Sequence, residues 1–295
     1  MPELGRLLTA MVTPFDAEGA LDLPRLRQLA QKLVAEGSDG LVVSGTTGES
    51  PTLTRDEKLA AFSAVKEAVG NRATVVAGTG SYSTAESIAL SREAESRGVD
   101  ALLLISPYYN KPNQAGLAAH FEAIADAVNI PVILYNHPGR TGVTIEPATL
   151  VRLARHPRIV GVKDSSGSLD LVTDYKRQLP ADFVIWSGDD PLTLPYLAVG
   201  GHGVISVTSH VAGLEIKAML DAWARGDRDE ALRLHLSLYE LSKVLFCAPS
   251  PGPTKAALAH LGFPVGGVRL PLVPLSEAEH DRVVRVLENR AAVRA

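Results

Sequence analysis

Short and almost continuously apolar runs recur along this 295-residue chain, bounded by Gly, Pro, Asn or Ser. They are rich in leucine and β-branched residues and do not alternate with polar residues. This pattern is typical of strands that are buried on both faces of a parallel sheet. We predict eight such strands, at residues 7–15, 40–45, 73–80, 101–107, 131–136, 159–164, 183–188 and 203–209.

Helical patterns separate these strands. Residues 23–37 and 54–70 have apolar positions spaced for one face of a helix, and Gly37, Gly70 and Gly98 stand where such helices would end. Eight strand–helix units of roughly thirty residues predict an α/β fold of one kind, the closed (β/α)8 TIM barrel.

The remaining residues lack a strand of comparable quality. Amphipathic patterns predict helices at 227–246, 252–262 and 276–292, the last opening with a cap of the Ser-x-x-Glu type. We therefore expect a barrel catalytic domain over residues 1–225 and a C-terminal helical extension over residues 226–295.

Composition and charge argue against several classes of protein. The formal net charge of −4 predicts no nucleic-acid partner. No apolar stretch is long enough to cross a bilayer, and the N-terminus lacks the pattern of a signal peptide, so we expect no membrane association and a cytoplasmic location. The single cysteine, Cys247, excludes an internal disulfide and a cysteine-based zinc site.

In a barrel of this kind, the active site lies where the strands end and the following loops begin. Strand 159–164 ends in Lys163, an ammonium group in an otherwise apolar segment. The structural interpretation is a lysine whose stem covers apolar side chains while its charge reaches water. The functional interpretation is a nucleophile, because burial favours the neutral amine that forms a Schiff base with a carbonyl substrate.

Other candidate residues follow the neighbouring strands. Tyr135 ends strand 131–136 and is a candidate for proton transfer to the adjacent lysine. The turn GTTGES at 45–50 offers hydroxyls and backbone N–H groups, which suit a carboxylate. Arg140 lies in a loop at the same end, where a guanidinium can hold a second carboxylate.

Together these segments resemble the pyruvate-dependent class I aldolases, the N-acetylneuraminate lyase family. The resemblance runs from the first strand to the C-terminal helices. It rests on six motifs in family order and spacing: GTTGES, PYYNKP, YNHPGRTG, GVKDSSG, SGDD and GHGVISVTS.

The resemblance implies a role for each matching residue. Lys163 would form the Schiff base with pyruvate, and Tyr135 would relay protons. Thr46 and Thr47 would bind the pyruvate carboxylate, with Thr46 extending the relay. The remaining implied positions are Tyr109, which would complete the relay of a neighbouring subunit in a homodimer or homotetramer, and Gly188 and Ile205, whose backbones would line the substrate.

Arg140 distinguishes the branches of this family. NHPGRTG matches the synthase branch, in which the arginine receives the carboxylate of L-aspartate-4-semialdehyde. The resemblance thus implies a lyase that condenses pyruvate with this aldehyde to 4-hydroxy-tetrahydrodipicolinate, on the route to diaminopimelate and lysine. No cofactor is implied, because the imine itself serves as the electron sink, and we expect no metal.

The chain departs from the family at the positions associated with lysine inhibition. Many inhibited members carry histidines after GTTGES and an asparagine after the GTG turn, where this chain has Arg55, Lys58 and Tyr82. Glu86 and Tyr108 are kept. Because two added cations would repel a lysine ammonium, we expect weak or absent feedback by lysine.

The residues leave three other interpretations open. The first is a sibling aldolase acting on a 2-keto-3-deoxy sugar acid or 4-hydroxy-2-oxoglutarate, against which Arg140 argues. The second is a phosphate-binding isomerase or metal-dependent hydrolase on the same barrel, disfavoured by the acidic SGDDP loop and by the lack of metal-ligand spacings. The third is a catalytically silent binding protein, whose expected mark is the loss of Lys163, Tyr135 or Thr46.

Overall fold

A computed structural model describes residues 4–294 of the chain. Eight parallel strands form a closed barrel in which each strand pairs with its successor in the sequence and β8 pairs with β1. The strands are β1 Leu7–Ala10, β2 Gly40–Val43, β3 Thr74–Gly78, β4 Ala101–Ile105, β5 Val132–Asn136, β6 Ile159–Asp164, β7 Val184–Ser187 and β8 Gly203–Ser206. The predicted TIM barrel is confirmed.

Helices surround the barrel and continue beyond it. They are α1 Leu23–Ala35, α2 Arg55–Val69, α3 Thr84–Ser96, α4 Gln114–Asp126, α5 Pro138–Thr141, α6 Pro147–Leu153, α7 Leu169–Gln178, α8 Thr193–Ala198, α9 Ser209–Ala224, α10 Arg228–Val244, α11 Gly252–His260 and α12 Glu277–Arg294. Several predicted strands were too long at their C-terminal ends. The first, predicted to residue 15, ends at Ala10 because the following residues leave the ladder for the loops of the active-site end.

Local sequence chemistry fixes the helix boundaries. Thr54 and Glu57 form a reciprocal capping box at the start of α2, which satisfies two backbone N–H groups that the helix leaves unpaired. The same helix ends at Gly70, whose φ of +57° is readily adopted by glycine.

Apolar side chains from the strands fill the barrel lumen, and Trp186 is the largest of them. A Cβ on Gly161 would lie 2.7 Å from the Trp186 ring, so the missing side chain makes room for the indole. The indole N–H donates to the Gly5 carbonyl, at 3.0 Å, before β1 begins. The lumen is therefore filled toward the N-terminal ends of the strands, and polar groups concentrate at the other end.

The C-terminal helices share a core with the barrel. One apolar cluster includes side chains from β8, α9, α10, α11 and α12. The predicted boundary between residues 225 and 226 falls in the short turn between α9 and α10 and stays a prediction, while residues 1–3 and 295 lie outside the described residues. Within residues 4–294, no helix is long and apolar enough to cross a membrane.

A buried histidine on α9, His210, links the loop after β1 to the residue that follows β8 and makes stability depend on pH. The His210 ring accepts a hydrogen bond from the Val12 N–H at 3.1 Å, and its other nitrogen lies 2.7 Å from the Val207 carbonyl. Burial lowers the pKa of His210 to about 4, helped by the charge of Lys32, while the hydrogen bond to the Val207 carbonyl opposes the shift. The neutral ring therefore stabilises the fold fully above pH 6.5, and this stabilisation is lost as the pH falls toward 4.

We expect the free energy of unfolding to fall by about 2 kcal/mol from this group alone between pH 7 and pH 5. Urea titrations of the wild type and of His210→Gln at both pH values measure the effect. The variant should be less stable at pH 7 but should lose this part of the pH dependence. Equal pH dependence in the two proteins would contradict the assignment.

Candidate active site

Lys163 and Tyr135 lie side by side where β6 and β5 end. The two residues are partners in the strand register, and Trp186 is the partner of Lys163 on β7. The amine Nζ of Lys163 lies 4.3 Å from the centroid of the Tyr135 ring. Lys163 is 6% exposed and Tyr135 is 5% exposed. The structure thus brings together the predicted nucleophile and the predicted proton relay.

The buried amine has no ion-pair partner among the described residues 4–294. The adjacent carboxylate of Asp164 is engaged elsewhere, since it accepts hydrogen bonds from Tyr196 at 2.6 Å, Ser166 at 2.6 Å and Asn136 at 2.7 Å. Burying an ammonium group without a carboxylate partner costs free energy, so packing alone does not explain a lysine at this position. This environment suits a nucleophile better than a structural salt bridge.

Gly188 leaves the space that the lysine side chain occupies. A Cβ at this position would lie 2.9 Å from Cε of Lys163 and 2.0 Å from the Ser165 hydroxyl oxygen. The Gly188 N–H donates to the Asp164 carbonyl at 2.7 Å, so the backbone is held in place. The structure therefore places Gly188 beside Lys163, and a larger residue at this position would displace the lysine side chain. Its predicted contact with the substrate stays a prediction.

The GTTGES turn is a closely packed loop after β2. Ser44 and Glu49, on either side of the two threonines, have φ of +57° and +55°. Thr47 is buried and Thr46 is half-buried. Thr46 lines one cavity together with Tyr135 and Tyr108, so the turn and Tyr135 border the same space. Such a rigid loop can present hydroxyls and backbone donors to an anion without further ordering.

Ile205 and Arg140 lie in different environments. Ile205 on β8 is buried among the side chains of the lumen. Arg140 is exposed on α5, a single helical turn that the sequence did not reveal. The arginine therefore stands at the rim of the site rather than beside the lysine.

His137 is a further residue of this end, and the sequence interpretation assigned it no role. Its ring packs edge-on against Tyr135, with centroids 5.8 Å apart. Burial, together with the nearby charge of Arg140, lowers the pKa of His137 to about 4. The imidazole is therefore neutral at pH 7 and adds no positive charge beside the amine. The only signal in the sequence was its place between Tyr135 and Arg140.

The structure does not place Tyr109 in the cavity of its own chain. Its side chain is 92% exposed, and its φ of +69° is unusual for a tyrosine. The preceding Tyr108 lines the cavity instead and packs edge-on against Tyr82 at 5.2 Å. The predicted role of Tyr109 therefore depends on a second copy of the chain.

A buried ion pair beneath the GTTGES turn was missed by the sequence interpretation. The Lys255 amine on α11 lies 2.7 Å from the Glu49 carboxylate, and both side chains are at most 4% exposed. The only available signal was a lysine on the apolar helical pattern of PTKAAL, and no pattern within the sequence pairs it with a glutamate two hundred residues earlier.

Known proteins are similar to this chain in both sequence and fold. The model of the dihydrodipicolinate synthetase family matches residues 3–290. A 4-hydroxy-tetrahydrodipicolinate synthase of Moorella thermoacetica is 57% identical over 284 residues, which cover 96% of this chain and 97% of that protein.

Two solved structures are also similar. The enzyme of Cyanidioschyzon merolae with lysine bound has a TM-score of 0.96 and 43% identity, covering 98% of each chain. The chloride-inhibited dihydrodipicolinate synthase of Acinetobacter baumannii complexed with pyruvate has a TM-score of 0.95 and 37% identity, covering 98% of this chain and 99% of that one.

Proposed function

This chain belongs to the dihydrodipicolinate synthetase family, and from that premise we propose that it condenses pyruvate with L-aspartate-4-semialdehyde through a Schiff base on Lys163. The names of its relatives support 4-hydroxy-tetrahydrodipicolinate synthesis, a lyase reaction of lysine and diaminopimelate biosynthesis, over a sugar-acid aldolase and over a silent barrel. One observation carries the mechanism: a buried lysine, with no ion-pair partner in the described part of the chain, lies 4.3 Å from the ring of a buried tyrosine.

The proposed reaction begins with attack of the Lys163 amine on the C2 carbonyl of pyruvate. Loss of water gives an imine, and removal of a proton from the methyl carbon gives an enamine. The electron pair of the enamine attacks the aldehyde carbon, forming the carbon–carbon bond, and the aldehyde oxygen takes up a proton. Attack of the substrate amino group on the imine carbon then closes the ring and releases the lysine.

The surrounding residues have separate tasks in this mechanism. The Tyr135 hydroxyl donates and accepts the protons of these steps, in a relay that Thr46 extends. Thr47 and the backbone N–H groups of the turn bind the pyruvate carboxylate, while Gly188 and Ile205 line the substrate. The cavity that Thr46 shares with Tyr135, and the buried position of Thr47 next to it in the turn, support these roles.

We assign the carboxylate of the aldehyde substrate to Arg140. Its exposed position on α5 lets the guanidinium meet a second substrate that enters after pyruvate. Because hydrogen bonds to charged groups contribute about 1.5–3 kcal/mol, Arg140→Met should raise KM for aspartate semialdehyde by about 10- to 100-fold. Steady-state kinetics with each substrate varied in turn measure this change. An equal rise in KM for pyruvate would contradict the assignment.

We further propose that the active enzyme is a homodimer or a homotetramer in which Tyr109 enters the relay of a neighbouring copy. A tyrosine that is 92% exposed on a backbone with positive φ supports this proposal, because such a costly arrangement is expected where a partner covers the side chain. We also propose a cytoplasmic location, since the reaction belongs to amino-acid biosynthesis.

Lysine is expected to inhibit this enzyme weakly or not at all. Arg55 pairs with Glu93 at 2.6 Å beside a cavity that also contains Lys58 and Glu86. Burial lowers the pKa of Lys58, and the nearby Glu86 carboxylate opposes this shift. Lys58 therefore already lies near the Glu86 carboxylate that an incoming ammonium would need, and Arg55 adds a second cation to the same cavity. Initial rates at increasing lysine concentration measure the effect, and half-inhibition below millimolar lysine would contradict it.

The substrate assignment is tested by comparing the rates with the candidate substrates of the two branches. Purified enzyme with pyruvate is given aspartate semialdehyde in one series, and it is tested for cleavage of 2-keto-3-deoxy sugar acids and 4-hydroxy-2-oxoglutarate in another. We expect kcat/KM to be highest for aspartate semialdehyde. Absence of turnover with this aldehyde, together with efficient turnover of a sugar acid, would move the chain to the sibling aldolases.

A further inference from the structure

We propose that Lys255 of the C-terminal extension is a positioning residue that, through Glu49, sets the turn at 45–50 for pyruvate binding. This inference rests on the proposed function, because the turn is the proposed site of the pyruvate carboxylate. It assigns the extension a task in substrate binding in addition to its packing against the barrel.

The ion pair joins the extension directly to the turn. The Lys255 amine lies 2.7 Å from one carboxylate oxygen of Glu49 and also donates to the Gly267 carbonyl. The other carboxylate oxygen of Glu49 accepts the N–H of Arg269 at 2.9 Å. Burial lowers the pKa of Lys255 while Glu49 raises it, as expected for a pair removed from water. One oxygen of this buried carboxylate is thus ion-paired, and the other accepts a hydrogen bond, in each case with a residue after 250.

The backbone of the turn needs such a restraint. Glu49 has a φ of +55°, a conformation that is costly for a residue with a side chain, and it follows directly on Thr46, Thr47 and Gly48. The Glu49 N–H donates to the Thr46 carbonyl at 3.0 Å. The position of the carboxylate beneath the turn is therefore coupled to the backbone of the first threonine.

The same cations hold the loop after β1. The Phe15 ring lies 4.3 Å from the Lys255 amine and 4.2 Å from the Arg269 guanidinium, measured to its centroid. Two residues earlier, the Thr13 hydroxyl donates to the Gly48 carbonyl at 2.6 Å. The turn is therefore held through Glu49 on one side and through Thr13 on the other. The cations of the extension contact Glu49 itself and Phe15, which lies in the same loop as Thr13.

Arg269 extends these contacts to α2. Its guanidinium binds the Glu57 carboxylate at 2.6 and 2.9 Å and donates to the Thr52 carbonyl at 3.0 Å. The segment just after the turn is therefore held as well. With these contacts in place, loss of the Lys255 charge should loosen the turn itself rather than the neighbouring helix.

The experiment measures the pyruvate concentration that gives half-maximal borohydride trapping of Lys163. The variants are Lys255→Met and the double variant Glu49→Gln/Lys255→Met, which replaces the pair by neutral groups of similar size. A single variant leaves a buried carboxylate unpaired and should lower the melting temperature strongly, whereas the double variant should recover much of that loss. Arg152→Met is the matched control, because it removes an ion pair of the same 2.7 Å length with Glu122 on the outer helices.

We expect the double variant to need about tenfold more pyruvate for half-maximal trapping despite its recovered melting temperature. The control should trap as the wild type does. A double variant with wild-type half-saturation would overturn the inference. So would a double variant that does not fold, because the pair would then belong to the framework of the barrel. Failure of the wild type itself to trap pyruvate on Lys163 would instead reject the proposed function.

Discussion

Lys163→Met is expected to remove turnover, with kcat/KM lower by at least about 10³-fold, because it removes the amine on which the proposed imine forms. Methionine is close to lysine in length and apolar, so it should fill the space against Gly188 and leave the fold intact. The measurement combines steady-state rates with mass mapping after treatment with pyruvate and sodium borohydride. The wild type should carry the reduced adduct on Lys163, and the variant should carry none.

Lys176→Met on α7 is the matched control, because it removes a lysine from the outer helical layer and should leave both turnover and adduct unchanged. An adduct on a different lysine of the wild type would contradict the assignment. Undiminished turnover in Lys163→Met would reject the Schiff-base mechanism as a whole.

Tyr135→Phe is expected to lower kcat by about 10²- to 10⁴-fold, which is the usual contribution of a positioned acid–base group. The substitution keeps the ring 4.3 Å from the lysine amine and removes only the hydroxyl. Pyruvate should still form the adduct on Lys163, but more slowly, because imine formation itself needs proton transfer. Stopped-flow trapping at short times separates this step from the later carbon–carbon bond formation.

Tyr239→Phe removes a hydroxyl from the exposed face of α10 and serves as its control. A Tyr135→Phe enzyme with normal rates of both trapping and turnover would assign proton transfer to another group. If trapping were normal but turnover slow, proton transfer by Tyr135 would be limited to the steps after imine formation.

The sequence was sufficient to predict the parts that depend on local pattern. Eight buried strands with helices between them admit few arrangements, and the place of Lys163 at a strand end followed from the same pattern. The contact between Lys163 and Tyr135 was also expected, because consecutive strands are neighbours in a barrel.

Features that depend on distant residues could not be predicted in this way. The short helix α5 has too few residues for a periodic pattern, so HPGRTG looked like a loop. The pair of Glu49 and Lys255 joins residues far apart in the chain, and only the packed fold brings them together. The space that Gly188 leaves for the lysine likewise depends on the register of β6 and β7, which no local signal sets.

The separation between β6 and α5 has a consequence for how such enzymes diversify. Lys163, the proposed nucleophile, is built into the barrel wall on β6, while Arg140 stands on one exposed helical turn of the loop after β5. With the roles proposed for Arg140 and Lys163, mutations in that turn would alter which electrophile is accepted without changing the strand that carries the lysine. An evolving lineage, or a protein engineer, can therefore exchange the second substrate in few steps while inheriting the first half of the chemistry unchanged.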